Sequence, residues 1–198
     1  MSDVFTIVPA NEASWEDLEA VFGTRGDPPR CYCQRYKMQR RESWASVGSE
    51  ELAIRLRTQT DPDHPESRTT SGLLAFLDGE PVGWCAVEPR TAYPRMLRNA
   101  RVPWEGRAED KTDDSVWAVT CFVTRTGFRR RGIGGALLRA AVDFARERCA
   151  RAIEGYPITT TKVILVELHT GTVGMFADAG FTEVSQPTLR RVVMRIDF

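Results

Sequence analysis

Residues 116–138 read VWAVTCFVTRTGFRRRGIGGALL, and this stretch decides the fold of the chain. Its first eight residues, Val116 to Val123, are all apolar, aromatic or β-branched, which is typical of a buried strand. Helical spacing begins after the glycines, because Ile133, Leu137 and Phe144 fall on one face and charged residues fall on another. The pattern predicts a strand, a glycine-rich turn and then a helix of about 17 residues.

The turn itself has the chemistry of an anion site. The first turn of a helix carries backbone N–H groups without intrahelical partners, and the helix dipole adds positive charge there. Glycines let an anion approach the backbone, and three arginines supply fork-shaped donors suited to phosphate. The turn therefore predicts a diphosphate site. An ordinary strand–helix connection with a basic turn is the other interpretation, because short glycine motifs recur by chance.

Two common phosphate motifs fit this turn less well. A Walker loop requires Gly-Lys-Ser/Thr, which is absent, and a dinucleotide fingerprint has a different glycine spacing. Arg129-x-x-Gly132-x-Gly134 instead matches the R/Q-x-x-G-x-G/A signature of the GCN5-related N-acetyltransferase (GNAT) superfamily, which the chain resembles from roughly Gly72 onward. The resemblance implies an α/β (α+β) fold. Its central sheet is mixed but mostly antiparallel, has six to seven strands flanked by helices, and is splayed at the central strands.

The resemblance also implies a cofactor, acetyl-coenzyme A (acetyl-CoA), and an activity, direct transfer of its acetyl group to an amine. In the family, this loop grips the pyrophosphate, while the central strand pairs with the pantetheine amides and offers a backbone N–H to the thioester oxygen. Carried onto this sequence, the cofactor-binding residues are Arg129, Arg130, Arg131, Gly132, Ile133, Gly134 and Gly135 in the loop, and Cys121, Phe122 and Val123 on the strand.

The general base is not where the family often has it, since no acidic residue lies between Val116 and Val123. Glu88, at the end of the preceding strand, is the first choice for a base. Glu154 is second, although a buried ion pair would explain that residue equally well. Cys121 is not taken as a nucleophile, because it lacks an evident histidine partner and the family transfers the acetyl group directly.

The proton donor to the leaving thiolate also departs from the family pattern. The family often places a tyrosine four residues before the glycine of a late Gly-Phe turn, which Gly180-Phe181 resembles, and here that position is Phe176. Tyr156, expected where the strands splay, is the nearest substitute. Water could also protonate the thiolate, since a free thiol is only a moderately weak acid.

A short stretch, Cys31 to Met38, combines two cysteines, two tyrosines and basic residues. Zinc sites usually use C-x2-C with a second ligand pair, whereas the spacing here is C-x-C, so we expect no metal site. In the GNAT fold this region forms a wall of the acceptor site, which implies substrate contacts by Tyr32, Cys33 and Tyr36. Core packing of these side chains is the alternative interpretation.

The remaining segments predict further elements of the same fold. Asp78-Gly79 between apolar runs indicates a hairpin. Thr91 to Ser115 is a long connection that we expect to cover the acceptor site as a lid, or else to be a mobile surface loop. Other predicted elements are a first strand at Phe5 to Val8, a helix capped by Ser14 and Asp17, a strand ending at Pro157, a short strand or helix at Val163 to Val166, and a closing hairpin through Thr182 to Val184 and Val192 to Ile196.

Composition limits the class of protein. With 198 residues and 42% hydrophobic residues, we expect one domain over residues 1–198. The 27 basic and 27 acidic residues balance, which argues against non-specific nucleic-acid binding. There is no secretory signal and no apolar run long enough for a bilayer, and five cysteines point to free thiols, so we expect a cytoplasmic protein without membrane contacts.

The leading hypothesis is an acetyl-CoA-dependent N-acetyltransferase acting on a small-molecule or peptide amine. Balanced charge gives no preference among a polyamine, an aminoglycoside, an amino acid and a protein, and a homodimer is compatible with this sequence. A non-catalytic acyl-CoA-binding module is the alternative, because the strand glutamate and the tyrosine are missing. A thiol-based metal or redox sensor using Cys31 and Cys33 is the third hypothesis.

Overall fold

A seven-stranded sheet forms the centre of the computed structural model, which describes residues 4–198. The strand order is β1-β2-β3-β4-β5-β7-β6, and only the β4–β5 pair is parallel. The predicted mixed, mostly antiparallel sheet is therefore confirmed. The strands are β1 (Phe5–Pro9), β2 (Gly72–Leu77), β3 (Glu80–Pro89), β4 (Val116–Thr124), β5 (Ala152–Gly155), β6 (Thr182–Thr188) and β7 (Arg191–Asp197).

Helices cover both faces of this sheet. They are α1 (Trp15–Phe22), α2 (Pro28–Cys31), α3 (Trp44–Val47), α4 (Ser49–Thr60), α5 (Pro94–Asn99), α6 (Ile133–Glu147) and α7 (Val173–Asp178), with 3-10 turns at Ala10–Glu12, Gln34–Tyr36, Arg90–Ala92 and Leu165–Thr170. The predicted long helix is α6, which has 15 residues. None of the helices in residues 4–198 is long and apolar enough to cross a bilayer.

Each face of the sheet has its own apolar core. Helix α6 packs one face through Leu137 and Leu138, which join Val119 of β4 in a buried cluster. Helix α1 packs the other face, where Leu18 meets Trp84 of β3 in a second cluster. Burying side chains of this size contributes about 1.5–3 kcal/mol each, so the two clusters fix the helices on the sheet.

Strands β4 and β5 pair over only four residues. The last pair joins Val119 to Gly155, after which β4 continues to Thr124 without β5. Strand β5 thus ends two residues before Pro157, where the sequence pattern placed its end. The phenyl ring of Phe176 packs directly against Gly155 at this end of β5, since a Cβ on Gly155 would lie 2.0 Å from Phe176 Cε1. The expected separation of the central strands therefore begins at Gly155.

A bulge in β4 lies at the same level. Ala86 pairs with Cys121 and Val87 pairs with Val119, so Thr120 is an extra residue in β4. Because of this residue, Ala118 and Cys121 lie on the same face of the sheet although they are three positions apart. The bulge thus brings the end of β4 onto the face that helix α1 covers.

Several local predictions are confirmed. Ser14 Oγ accepts a hydrogen bond from the Asp17 backbone N–H, and Asp17 Oδ2 accepts one from the Ser14 N–H, each at 3.1 Å. Asp78 and Gly79 form the turn between β2 and β3, and both have positive φ. The predicted single domain includes residues 1–3, which lie outside the described residues, and it stays a prediction.

Candidate active site

The glycine-rich turn after β4 starts helix α6. Gly132 caps the helix with φ +84°, a left-handed conformation that glycine adopts without strain, and Arg130 also has positive φ at +62°. A Cβ on Gly132 would meet no atom within 4 Å, so open space lies above this backbone. Arg129 and Arg130 are exposed beside it. The turn is therefore an exposed, positively charged helix start that can accept an anion.

Gly134, the second residue of α6, also leaves the anion-accepting turn free of a side chain. A Cβ on Gly134 would lie 3.0 Å from Met175 Sδ in α7. Ile133 is buried against the sheet, whereas the guanidinium of Arg131 lies 5.5 Å from the centroid of the Phe128 ring. These contacts hold the start of α6 against α7 and the sheet.

The strand residues predicted to hold the pantetheine arm lie beyond the last β4–β5 pair. Cys121, Phe122 and Val123 pair with β3 on one side, while β5 has already ended on the other. The Phe122 ring packs edge-on against Phe176, with centroids 6.3 Å apart. The 3-10 turn Leu165–Thr170 also contacts β4. Because β5 does not pair with Cys121 to Val123, the backbone groups on this side of β4 are those with which an extended chain would form hydrogen bonds.

Cys121 contacts a second thiol. Its Sγ lies 2.8 Å from Cys33 Sγ, and both side chains are buried. The pKa of the Cys33 thiol is raised well above its usual value, first by burial and then by its hydrogen bond with Cys121. No group of three metal-ligating side chains exists among residues 4–198. The pair is thus a buried thiol contact in the core beneath β4, and no histidine within residues 4–198 forms a hydrogen bond with Cys121 that would activate it.

The two candidate bases flank the same residue. Ala118 of β4 pairs with Glu88 on one side and with Glu154 on the other, so both carboxylates project from one face of the sheet. Their surroundings differ in the number of cations. Glu88 meets the single charge of Lys37, with Nζ 2.5 Å from Glu88 Oε2, and its side chain is 13% exposed. Burial raises the pKa of Glu88 above its usual value, and Lys37 counteracts part of this effect.

Glu154 is enclosed by arginines instead. Its side chain has no exposed surface, and its Oε1 accepts hydrogen bonds from Arg107 and Arg195 at 2.6 Å and from Arg90 at 3.2 Å. Burial alone would raise the pKa of Glu154, but the arginines, Arg107 first, bring it below the usual value. This carboxylate is charged at neutral pH and is fully engaged by arginines, as in a structural ion pair. The geometry therefore favours the ion-pair interpretation over a role as base.

Tyr156 belongs to the same cluster. Its hydroxyl donates a hydrogen bond of 3.3 Å to Glu154 Oε2, and the side chain is buried. Burial, followed by the charge of Glu154, raises the pKa of the phenol well above its usual value. A phenol that holds its proton this tightly is a weak proton donor, which disfavours the predicted role of Tyr156. Phe176, at the family's tyrosine position, is fully buried against Phe181.

A family model described as the Acetyltransferase (GNAT) family matches residues 33–160, which include the glycine turn, the open strand and Glu88. The chain belongs to the GNAT family. GNAT acetyltransferases use acetyl-CoA, so the predicted cofactor is confirmed, and the open cradle at Gly132 with its adjacent arginines fits a diphosphate. None of the curated proteins compared with the chain is a significant match.

Solved structures share the same GNAT fold. A PaiA N-acetyltransferase from Thermoplasma acidophilum in complex with coenzyme A has a TM-score of 0.52 at 15% identity, covering 98% of this chain and 99% of that one. The GNAT domain of S. lividans PAT has a TM-score of 0.52 at 18% identity, covering 97% and 89%. A GNAT acetyltransferase from Streptococcus pneumoniae has a TM-score of 0.50 at 16% identity, covering 98% and 100%.

The residues predicted to contact the GNAT acceptor separate into two environments. Tyr32 is half-buried and stacks on Phe22 of α1 with ring centroids 5.1 Å apart, whereas Cys33 is buried beneath β4. Tyr36 packs beside Tyr93 and Tyr156 and also lines a cavity of about 280 Å³. The other residues that line this cavity are Arg35, Trp44, Arg95, Asn99 and Ala100. Tyr36 thus joins the cavity to the face that carries both glutamates.

Three residues near the site were not singled out from the sequence. Lys37 is one of only three lysines, but nothing local marks it as the partner of Glu88, 51 positions away. Arg191 of β7 donates a hydrogen bond of 3.2 Å to the Tyr156 carbonyl. His169 forms a hydrogen bond of 2.7 Å between Nδ1 and the Val166 carbonyl, while its buried Nε2 has no partner in the described chain, and burial lowers its pKa to about 4.

Proposed function

We propose that this GNAT protein is an acetyl-CoA-dependent N-acetyltransferase, which moves an acetyl group by direct transfer to the amine of a small molecule or an amino terminus. One observation carries the proposal: β4 extends beyond the end of β5 and leads into an open, left-handed glycine turn at the start of α6. That arrangement offers a strand edge and an anion cradle in sequence, which together fit a thioester on a pantetheine arm followed by a diphosphate.

The chain's own residues hold the cofactor in two places. The backbone N–H groups of Gly132 to Gly135 and the side chains of Arg129 to Arg131 take the diphosphate. The open edge of β4 at Cys121 to Val123 takes the pantetheine amides, as a neighbouring strand would. When bound, acetyl-CoA supplies an activated acyl group on a thiolate leaving group. A backbone N–H of β4 next to the bulge at Thr120 would stabilise negative charge on the acyl oxygen of the bound thioester.

Glu88 is the proposed general base. It lies on the same face of the sheet as Tyr36, which lines the cavity, and its pKa is raised toward the range in which a carboxylate exchanges protons readily. Glu88 accepts the proton of the substrate ammonium, directly or through one water molecule. The ammonium group of Lys37 limits how far the pKa of the Glu88 carboxyl group rises.

Water is the proposed proton donor to the thiolate. Phe176 offers no proton, and the Tyr156 hydroxyl is already donated to Glu154. A thiolate is a good leaving group at neutral pH without an acid, because a free thiol has a pKa of about 8.5. The five cysteines are unpaired thiols, and we place the protein in the reducing cytoplasm on that basis.

Two measurements test the proposal. Calorimetric titration with acetyl-CoA should show one site per chain, and release of free thiol should follow addition of an accepted amine. Binding without thiol release across a broad amine panel would instead identify a non-catalytic acyl-CoA-binding module. The absence of any binding would remove acetyl transfer altogether.

A further inference from the structure

The cavity beside Tyr36 carries an uncompensated positive charge. Arg35 and Arg95 both line it, from the 3-10 turn Gln34–Tyr36 and from helix α5 respectively. Within residues 4–198 neither guanidinium has an ion pair or a side-chain hydrogen bond, in contrast with Arg90, Arg107 and Arg195 around Glu154. Two unpaired arginines that converge on one cavity are an arrangement suited to an anion.

No acidic side chain among the described residues lines the cavity to balance this charge. No carboxylate is among its six lining residues, and the nearby Glu42, two positions before Trp44, is held by Arg55 through two hydrogen bonds of 2.9 Å. A polyamine or an aminoglycoside would bring more positive charge into this space and be repelled. Since the chain as a whole has no net charge, the local excess is a property of the cavity.

The rest of the lining sets the size and character of the ligand. Trp44 and Tyr36 supply flat apolar surfaces, and Asn99 supplies an amide. A volume of about 280 Å³ lies at the small end of ligand pockets, which suits a molecule the size of an amino acid. Tyr36 lines the cavity and also packs against the cluster that contains Ala118, the partner of Glu88 in the sheet, so the cavity lies on the side of the sheet that carries the proposed base.

We infer that the acetyl acceptor is an amine that also carries a carboxylate, of the amino-acid class, and that Arg35 and Arg95 bind this carboxylate. The inference rests on the proposed function, since it names the substrate of the same site. Arg35 and Arg95 are specificity-determining residues in this assignment, whereas Glu88 handles the proton. Glu88 accepts the proton of the ligand's ammonium group, and the ligand's carboxylate stays in the arginine cavity.

Paired compounds provide the test. Thiol release is measured first with the twenty protein amino acids, and then with phenylalanine against phenethylamine, tryptophan against tryptamine and leucine against isopentylamine. We expect kcat/KM to be at least tenfold higher for the carboxylate member of each accepted pair. In R35A and R95A, KM for the amino acid should rise roughly 10- to 100-fold, whereas kcat/KM for the decarboxylated amine should stay within about twofold. R95K should retain part of the preference because it keeps the charge.

Two controls keep the test decisive. R68A removes an exposed arginine outside the cavity and should leave both members of a pair unchanged. Calorimetry with acetyl-CoA, and with the amino acids alone, separates the failures. Three results would overturn the inference. They are equal kcat/KM for the two members of every pair, equal losses of kcat/KM for both members in R35A and R95A, and no binding of any amino acid to a protein that binds acetyl-CoA. A wild-type protein that does not bind acetyl-CoA would overturn the proposed function itself.

Discussion

Lys37 Nζ lies 2.5 Å from Glu88 Oε2, and both side chains are almost enclosed by the protein. The two residues come from different parts of the chain, Lys37 from the turn after α2 and Glu88 from the end of β3. A buried carboxylate with a single counter-charge accepts a proton more readily than one held by three arginines. This contrast separates the roles of Glu88 and Glu154.

The first prediction concerns the pH dependence of turnover. Because burial raises the pKa of Glu88, kcat/KM should fall as the pH drops through a value above the usual range of a carboxylate. E88Q should turn over about 100-fold more slowly and also lose this acidic limb, with the affinity for acetyl-CoA unchanged. An E88Q enzyme with a normal acidic limb would remove Glu88 as the base.

The second prediction concerns Lys37. K37A removes the charge that lowers the pKa of Glu88, so the acidic limb of the pH–rate profile should move to higher pH. K111A is the matched control, because Lys111 lies over Trp104 in a surface turn and does not contact Glu88. A limb that stays in place in K37A but moves in K111A would contradict the assignment.

The third prediction concerns the arginine cluster. E154Q leaves Arg90, Arg107 and Arg195 without their shared charge and should lower the free energy of unfolding by roughly 3 kcal/mol. The pKa of Glu154 is lowered on folding, so this contribution is complete above its unfolded pKa near 4.5 and is lost as the pH falls through the lower folded value. The difference between the free energies of unfolding of the wild type and E154Q, measured with urea, should therefore shrink as the pH falls from 7 toward 3.

The exposed pair of Glu80 and Arg125 provides the control for that experiment. E80Q should change the free energy of unfolding by less than about 1 kcal/mol, because the pair lies largely in solvent. If E154Q were as mild as E80Q, the cluster would not stabilise the join between β5 and β7.

The fourth prediction separates a proton donor from a structural hydroxyl. Y156F removes the hydrogen bond to Glu154 and should cost about 1 kcal/mol of stability, while turnover stays within about threefold of the wild type. Thiol-release kinetics together with thermal unfolding check both parts. A variant whose turnover falls by about two orders of magnitude, with acetyl-CoA affinity unchanged, would restore Tyr156 as the acid.

The sequence predicted most of the fold because its signals are local. The apolar run of β4, the glycines before α6, the capping pair Ser14 and Asp17, and the turn at Asp78 each act over a few residues. The short end of β5 depends instead on Phe176 pressing on Gly155, a contact made across 21 positions that no local pattern contains.

The site was less predictable, because its contacts join residues that lie far apart in the sequence. The cofactor loop follows from a motif, but the bulge at Thr120, the Lys37–Glu88 ion pair and the arginines around Glu154 arise only when distant strands align. Arg35 and Arg95 converge on one cavity although 60 positions separate them. Sequence alone showed a basic stretch and a long connection, without showing that the two meet.

The most direct test of the account is the comparison of coenzyme A with pantetheine in calorimetric titrations of the wild-type protein. Pantetheine keeps the arm that would lie along β4 but lacks the diphosphate that the start of α6 would hold. We predict that coenzyme A binds at one site per chain, at least about 100-fold more tightly than pantetheine, because several charge-assisted hydrogen bonds are lost. Equal affinities for the two compounds, or no binding of coenzyme A, would contradict the assignment of the α6 turn as the diphosphate site.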